Sequence, residues 1–330
     1  MSHDALGISG HALLAPMAAV TDIPFRTLCF EQGAAAAVTE FISAHALARG
    51  VAVAQEKAHV GDDEGPVVLQ IFGEEPDAVA AAVRWADGQG CYAGVDLNFG
   101  CPAPKILRQG AGSALLSDPR RMQEIVRSAR RSTSLPVSAK IRTGVDARSV
   151  NAVTVAQALE QSGVQFITVH GRTLRQGYRG KADWAQVKAV AAAVSIPVIG
   201  NGDVIDGPTA AEMMQETCCA AVMVGRAART DPSVFADIEA YLRTGKRDLA
   251  DTGQRMALVL RYLDLAERHG FSDFVQIRQH AVDMTKGMEG SARLRQDILA
   301  CHGVEPLRSI IMNFKYKKTC ERKDEGSRDR

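Results

Sequence analysis

Polar side chains of catalytic types follow several short apolar runs of the chain. They are Gln70, Asn98, Cys101, Lys140 and His170. A thiol in such a position can act as a nucleophile or a proton donor, and a lysine or histidine can bind an anion or move a proton. Taken singly, the lysine could be a snorkelling edge residue and the histidine a satisfied core residue. Together they favour a functional site, because an unpartnered buried polar group costs about 1–3 kcal/mol.

Cys101 differs from the other cysteines in its position. It stands between Gly100 and Pro102 after the run GVDLNFG, and it begins the loop CPAPKILRQGAGSALL, whose GAG segment permits movement. We expect the following cysteines to be small buried hydrophobes: Cys29, Cys91, Cys218, Cys219 and Cys301. Seven cysteines without regular spacing or a CxxC pair indicate reduced thiols and no metal site.

Two glycine-containing segments indicate an anion-binding site. GNGD at 200–203 and GRAA at 225–228 follow the last two apolar runs. Glycine exposes backbone N–H groups, and a guanidinium can hold a phosphate with two hydrogen bonds. The alternative is that these glycines only make tight turns. The candidate residues are Asn201, Gly202, Asp203, Gly225 and Arg226.

Eight β-rich runs must position these residues. They lie at 11–18, 35–41, 66–72, 94–100, 136–142, 166–172, 197–203 and 221–227. Helical patterns between them begin with Asp or Ser followed by Pro, which suits a first helical turn. A strand and helix repeat of about 30 residues predicts a (β/α)8 TIM barrel rather than a doubly wound sheet, with its site at the carboxyl ends of the strands. Pro16 and Met17 close the first run and join the candidates.

The pattern divides the chain into three parts. Residues 1–245 form the predicted barrel, and residues 246–315 carry several amphipathic helices without strand candidates, which predicts a smaller all-helical C-terminal domain. Residues 316–330 are almost wholly polar and charged, and we expect them to be disordered.

Composition excludes few partners. The formal charge of +1 gives no bulk argument for a polyanionic partner, which would need a local basic patch. The N-terminus lacks a basic region followed by an apolar one, and no apolar stretch approaches the roughly 20 residues that span a bilayer. The sequence predicts a cytoplasmic protein without membrane contact.

Seven motifs in order resemble one family. They are APMAAVTDIPFR, NFGCPAPK, GAGSALL, AKIRTG, VHGRT, IGNGD and VGRAA. Over residues 12 to 230 the chain resembles the tRNA-dihydrouridine synthases, and its motifs are most similar to those of the bacterial B-type branch. The resemblance implies an FMN-dependent (β/α)8 enzyme that reduces a uridine of tRNA to 5,6-dihydrouridine, with NADPH as the reductant.

The resemblance also implies roles for the candidate residues. Cys101 would be the general acid that protonates uracil C5 opposite the hydride delivered to C6, and Asn98 would face the uracil. Lys140 and His170 would contact the FMN ring and phosphate region. Gln70, Pro16 and Met17 would hold the isoalloxazine, and the GNGD and VGRAA segments would bind the phosphate. Since no GxGxxG opens a helix after a strand, we expect NADPH to dock transiently on the flavin.

A tRNA substrate requires contacts outside the barrel, because the target base must be flipped out of its stack and phosphate contacts supply most affinity. We expect the helical unit to carry them, with Arg278, His280 and Lys286 as candidates. The family helix carries an Arg-Lys-His run, an aromatic pair and Lys-Gly. This chain reads RQHAVDMTKG, so that Gln279, Asp283 and Met284 depart from the pattern.

Three other functions stay open from the residues. An FMN barrel oxidoreductase could reduce a free small molecule such as a pyrimidine. Lys140 could form a Schiff base in an aldolase-like barrel whose GNGD and GRAA loops grip a sugar phosphate. A catalytically silent tRNA-binding protein would retain tRNA without flavin.

Overall fold

The fold is a closed parallel barrel, and the computed structural model describes residues 8–314. The barrel strands are β1 Ala12–Leu14, β2 Ala36–Val38, β3 Val67–Phe72, β4 Gly94–Phe99, β5 Val137–Arg142, β6 Ile167–His170, β7 Val198–Asn201 and β8 Ala221–Val224. Strand β1 pairs with both β2 and β8, and β2 pairs with β3, which closes the ring. The predicted (β/α)8 TIM barrel is confirmed.

Each predicted run contains one barrel strand, and the strands are shorter than the runs. Their residues are almost all buried, since helices cover the outer face and side chains fill the interior. One further strand, Ile42–Ser43, pairs with β3 and was not predicted. Two residues are too few to leave a pattern in the sequence.

Helices follow the strands around the barrel. They are α1 Ile23–Glu31, α2 Ala44–Ala48, α3 Ala52–Ala58, α4 Pro76–Gln89, α5 Pro104–Leu107, α6 Pro119–Arg130, α7 Ala152–Gln161, α8 Trp184–Ala193, α9 Gly207–Thr217, α10 Arg226–Thr230 and α11 Val234–Thr244. Asp118 caps α6 and Asp206 caps α9 in a capping box, each with a proline in the first turn as the sequence predicts. Within residues 8–314, no helix combines the length and apolar character needed to cross a membrane.

The C-terminal helices pack against the barrel through α1. Helix α11 ends in Gly245, whose φ of 70° is the left-handed conformation that glycine favours. Then come α12 Thr252–Arg268, α13 Phe274–Met284, α14 Ser291–Ala300 and a helix over residues 304–314. His280 of α13 stacks on Phe25 of α1 and contacts the ring of Tyr262 of α12, and all three side chains are buried. The expected disordered tail, 316–330, lies outside the described residues.

Candidate active site

A cleft of about 690 Å³ opens at the carboxyl ends of the strands. It is lined by most of the predicted site residues: Pro16, Met17, Asn98, Cys101, Lys140, His170, Asn201, Gly202, Asp203, Gly225, Arg226 and Lys286. The register explains this convergence, because Asn98 lies opposite Lys140 and His170 lies opposite Asn201 on neighbouring strands. Gln70, Arg278 and His280 are not among the lining residues.

The turn that follows β4 holds Cys101 in place. Asn98 Oδ1 accepts hydrogen bonds from the backbone N–H groups of Gly100 at 3.1 Å and Cys101 at 2.8 Å. Cys101 is 8% exposed, and this burial raises the pKa of its thiol, although the Ala103 N–H and the Arg142 charge oppose the shift. The thiol is therefore protonated at neutral pH.

The GAG segment lies directly behind this turn. Ser113 N donates to Cys101 O at 3.1 Å. Gly112 has a φ of 62°, and a Cβ at this residue would lie 2.9 Å from the same carbonyl oxygen. The glycine in the segment thus permits close packing behind Cys101.

Gln70 lies one layer deeper in the barrel than Asn98. Its side chain is fully buried, and its position on β3 is opposite Asp96 on β4. Gln70 Nε2 donates to Asp96 Oδ2 at 2.7 Å, and Gln70 Oε1 accepts from Asn98 Nδ2 at 2.7 Å. Gln70 therefore supports Asn98 from below and has no surface on the cleft.

Lys140 provides a cation in the centre of the cleft. Its Nζ donates to Asn201 Oδ1 at 2.8 Å, and Asn201 Nδ2 donates to the Met223 carbonyl at 2.7 Å. Burial and the neighbouring Arg142 charge lower the pKa of Lys140 to about 7, and the Asp96 carboxylate opposes this shift. A modest change in its surroundings therefore switches the amine between its charged and neutral forms.

His170 is a neutral imidazole. Burial, together with the positive charges of Lys140 and the nearby arginines, lowers its pKa far below the usual range. Arg172 Nη1 lies 3.4 Å from His170 Nε2. Since a guanidinium only donates hydrogen bonds, Nε2 is the acceptor, and the ring proton is on Nδ1.

The ends of β7 and β8 form one side of the cleft, which we call the anion side because the sequence predicts an anion-binding site there. Gly202 has a φ of 115°, and a Cβ there would lie 2.8 Å from Ala182 Cβ, so that only glycine fits. At Gly225 a Cβ would lie 3.5 Å from Ala15 Cβ and 3.6 Å from Met17 Sδ, so that the glycine keeps the space beside this wall open. Two small residues thus leave room between the two strand ends.

Arg226 is the exposed cation of this side, with 57% of its side chain accessible. Its Nη2 donates at 3.0 Å to Asp203 Oδ1, which also accepts from the buried Arg172 at 2.8 Å. Partial burial tends to raise the pKa of Asp203, but the Ala182 N–H and the two arginines outweigh it and lower the pKa. Asp203 therefore anchors Arg226 and does not present a free carboxylate.

Tyr178 of the site was missed by the sequence reasoning, whereas Arg142 and Arg172 were candidates as residues that close two predicted runs but were given no role. Both arginines are 2% exposed. Arg142 donates to Gly100 O at 2.8 Å and to Gly177 O at 3.0 Å, which ties the Cys101 turn to the loop after β6. Tyr178 of this loop, 59% exposed, lies over the Arg142 and Arg226 guanidinium groups at 5.8 and 5.1 Å. The only sign of Tyr178 in the sequence was an aromatic residue in a glycine-rich loop.

The candidates on α13 and just beyond it have different surroundings. Lys286 lies at the cleft mouth with 53% of its side chain accessible, paired with the buried Asp283 at 2.5 Å. Asp283 also pairs with Arg229, so that the residue departing from the family pattern forms ion pairs with two cations. Arg278 is half-buried, and its guanidinium donates to the Leu299 carbonyl at 3.2 Å.

His280 is part of the packing between α13 and the barrel. It is 2% exposed, its Nε2 lies 2.9 Å from Asp22 Oδ2, and its ring stacks on Phe25 with centroids 4.8 Å apart. The structure offers it no surface for an RNA contact.

The other cysteines correct one expectation. Cys29, Cys219 and Cys301 are buried as expected, but Cys91 and Cys218 are exposed. Cys218 is the left-handed residue that ends α9, with a φ of 57°, and Cys91 follows the left-handed Gly90 that ends α4. Residues that end a helix commonly lie at the surface.

Comparisons with known proteins identify the family of the chain. The family described as Dihydrouridine synthase (Dus) matches residues 13–316. A probable tRNA-dihydrouridine synthase of Rickettsia bellii is 37% identical over 311 residues, which cover 93% of this chain and 95% of the relative. The tRNA-dihydrouridine synthase B of Pseudomonas aeruginosa is 40% identical over 261 residues, which cover 78% of this chain and 77% of the relative.

A solved structure of 2-naphthoyl-CoA reductase in complex with 2-naphthoyl-CoA is similar in fold alone. Its TM-score is 0.56 at 11% identity, over 72% of this chain and 50% of that chain. The family match covers nearly the whole chain, and the two curated relatives exceed 30% identity over most of their own length. The chain belongs to the dihydrouridine synthase family.

Proposed function

We propose that this protein reduces uridine in tRNA to 5,6-dihydrouridine, with FMN bound in the cleft and NADPH as the reductant. The observation that carries the proposal is a buried, protonated Cys101 thiol in the same cleft as the Lys140 cation and the anion side at Gly202 and Arg226. The names of the relatives, tRNA-dihydrouridine synthases, support the substrate class.

The residues of the cleft fit FMN. Phosphate would be held between Gly202 and Gly225, where small residues leave space, with Arg226 supplying an exposed guanidinium. The donors Lys140 and Asn201 would meet the polar edge of the ring system. Pro16 and Met17 offer apolar surface for its face, and they line the same cleft.

The protein's own residues then supply the proton. FMN held by these residues and reduced by NADPH would supply a hydride for uracil C6. The Cys101 thiol donates a proton to C5, which requires the protonated form that burial maintains. Asn98 fixes the backbone of the Cys101 turn, and Arg142 holds the carbonyl of Gly100 from the other side.

Binding of tRNA would place a flipped uridine in the cleft and phosphates on its rim. Lys286 and Arg226 lie at the mouth with more than half of each side chain accessible. The loop after β6 adds Arg175, which is 76% exposed. These cations on two sides of the opening support RNA as the partner more directly than the net charge does.

The visible absorption spectrum of the purified protein tests the cofactor, and anaerobic addition of NADPH with or without unmodified tRNA tests the substrate. We expect a flavin spectrum that bleaches with NADPH and recovers only when tRNA is added. Recovery with a free pyrimidine instead of tRNA would indicate an oxidoreductase for small molecules. A colourless protein that takes up no FMN on titration would contradict the proposal.

One observation favours a second candidate. A lysine with a pKa of about 7 is partly neutral and can form a Schiff base with a carbonyl compound. Lys140 would then act as the nucleophile of an aldolase-like barrel. Borohydride reduction in the presence of carbonyl substrates, followed by mass spectrometry of the Lys140 peptide, distinguishes the two functions. A trapped adduct on a flavin-free protein would support the aldolase.

A further inference from the structure

A series of hydrogen bonds runs through the barrel interior beneath Cys101. Asp96 on β4 accepts from Ser138 Oγ at 2.6 Å and from Gln70 Nε2 at 2.7 Å. Gln70 Oε1 accepts from Asn98 Nδ2 at 2.7 Å, and Asn98 Oδ1 accepts from the Cys101 N–H at 2.8 Å. All of these side chains are buried. The series therefore links an interior carboxylate to the turn that carries the thiol.

The direction of every bond in this series is determined by the carboxylate. An ionised carboxylate only accepts, so Gln70 must turn its NH2 group toward Asp96. The Gln70 oxygen then faces Asn98, which must offer its own NH2 group. This leaves Asn98 Oδ1 for the backbone N–H groups of Gly100 and Cys101. If the Asn98 amide were reversed, its NH2 group would face the backbone N–H groups of Gly100 and Cys101, and donors cannot form hydrogen bonds with one another.

We infer that Asp96 is a positioning residue for Cys101: its carboxylate fixes the Gln70 amide, and through it the Asn98 amide that holds the Cys101 turn. Asp96 does not line the cleft, so it acts through these partners and not on a ligand. The inference deepens the proposed function, on which its catalytic consequence rests. It assigns a role to a buried acid that the proposed proton transfer does not use directly.

Protonation of Asp96 leaves this arrangement intact. Burial raises its pKa to about 6, against the opposing effects of Ser138, Gln70 and Lys140. Once protonated, the carboxyl can donate to the Ser138 hydroxyl through one oxygen and still accept from Gln70 through the other. The orientation of the amides is therefore kept on both sides of this pKa, and an asparagine at position 96 can reproduce it.

Three variants separate the orienting role from packing and charge. Asp96→Leu keeps the volume but removes the acceptor. Asp96→Asn keeps an acceptor oxygen for Gln70 and turns its NH2 group toward the Ser138 hydroxyl. Gln70→Met retains Asp96 and interrupts the series at its middle. If Asp96→Leu fails to fold, the other two variants still decide the matter.

The measurement is the rate of alkylation of each cysteine by iodoacetamide, followed by peptide mass spectrometry on the native protein with saturating FMN. When the Asn98 amide is no longer fixed, Asn98 Oδ1 is not held opposite the Cys101 N–H, and the Cys101 turn loosens. We expect alkylation of Cys101 to accelerate about five- to tenfold in Asp96→Leu and Gln70→Met, and to stay within about twofold of the parent rate in Asp96→Asn. Cys91, which is exposed, calibrates the reagent.

The buried Cys29 and Cys219 report general loosening, which a merely structural role would produce. Acceleration confined to Cys101 supports the inference. An unchanged Cys101 in Gln70→Met overturns it, as does equal acceleration at Cys29 and Cys219 in that variant. An Asp96→Asn protein as reactive at Cys101 as Asp96→Leu also overturns it, since the charge would then matter and not the orientation.

Turnover separates this inference from the proposed function. In Asp96→Leu and Gln70→Met we expect kcat for dihydrouridine formation to fall about five- to tenfold, with an unchanged KM for tRNA. A parent protein that forms no dihydrouridine would contradict the proposed function, whereas the alkylation rates would still decide whether Asp96 positions Cys101.

Discussion

Lys140 Nζ lies 2.8 Å from Asn201 Oδ1, which holds a cation of β5 against the strand end that forms the anion side of the cleft. Burial lowers the pKa of this amine to about 7, so that it is charged below this pH and neutral above it. A neutral amine gives no charge pairing with an anionic cofactor. The affinity for FMN should therefore fall as the pH rises through about 7, and bound phosphate should shift the midpoint upward by stabilising the charged form.

Fluorescence titration of FMN across this pH range measures the effect. The matched variant is Lys140→Met, which should bind FMN more weakly and lose this part of the pH dependence. Ionisation of the FMN phosphate affects both proteins equally. The same slope in parent and variant would show that Lys140 does not contribute a titrating charge.

Replacing Cys101 by Ala should abolish dihydrouridine formation and leave FMN binding and NADPH oxidation measurable. In the proposed reaction the thiol is the proton donor, and loss of a general acid costs about 10²–10⁴-fold in rate. Quantification of dihydrouridine in tRNA digests checks the result. Cys91→Ala, at an exposed cysteine outside the cleft lining, is the matched control. Normal product yield from Cys101→Ala would remove the proton-donor role.

The barrel could be predicted because its strands are buried on both faces, which leaves continuous apolar runs. The strand pairing that closes the barrel could not be predicted. In that pairing, Leu13 of β1 lies opposite Ala36 of β2 on one side and Met223 of β8 on the other. Nothing in the local sequence encodes that register. The strand Ile42–Ser43 escaped prediction since its two residues carry no periodicity.

Site residues could be predicted where a polar side chain closes a strand, as at Lys140 and His170. The depth at which a residue lies in the barrel could not be predicted. Gln70 lies opposite Asp96 and Asn98 lies opposite Lys140, so that Gln70 is one layer below the cleft although both amides stand near strand ends. His280 is buried by Asp22 and Phe25, which lie more than 250 residues earlier in the chain. Such contacts depend on tertiary packing.

Replacing Arg226 by Ala should raise the Kd for FMN about 10- to 100-fold, because a charge-assisted hydrogen bond contributes about 1.5–3 kcal/mol. Arg226 is exposed at the anion side and is oriented by Asp203. Equilibrium dialysis with FMN measures the change. Arg175→Ala removes an exposed arginine of the loop after β6 and should leave the Kd unaltered. If both variants bind FMN like the parent, the phosphate lies elsewhere.

Replacing Lys286 by Ala should weaken tRNA binding and reduce the slope of log K against log salt by about one, because one phosphate contact is lost. Lys286 lies at the cleft mouth, and half of its side chain stays accessible beside Asp283. Arg278→Ala is the comparison, since the Arg278 guanidinium is engaged by the carbonyls of Leu299 and Cys301. Filter binding at several salt concentrations gives both slopes. A larger change for Arg278 than for Lys286 would place the RNA on the other side of α13.

Asp22 should be the most sensitive contact between the barrel and the C-terminal helices. Its Oδ1 caps α1 through the Phe25 N–H at 2.9 Å, and its Oδ2 meets His280 at 2.9 Å and Gln276 Nε2 at 2.7 Å. Asp22→Ala removes the cap and leaves buried polar groups without a partner. We expect the free energy of unfolding to fall by about 2–4 kcal/mol.

Urea denaturation measures this loss, and the control is an ion pair between α1 and α12 at the same junction. Glu31 of α1 pairs with Arg261 of α12 at 2.5 Å, and each side chain is about one-third exposed. Because solvent screens such a pair, Glu31→Ala should cost less than about 1 kcal/mol. Equal losses in the two variants would mean that the buried cluster around Asp22 stabilises the junction no more than a surface ion pair does. A large loss confined to Asp22→Ala would instead show that the buried cluster around Asp22, which includes His280, stabilises the junction of α13 with the barrel.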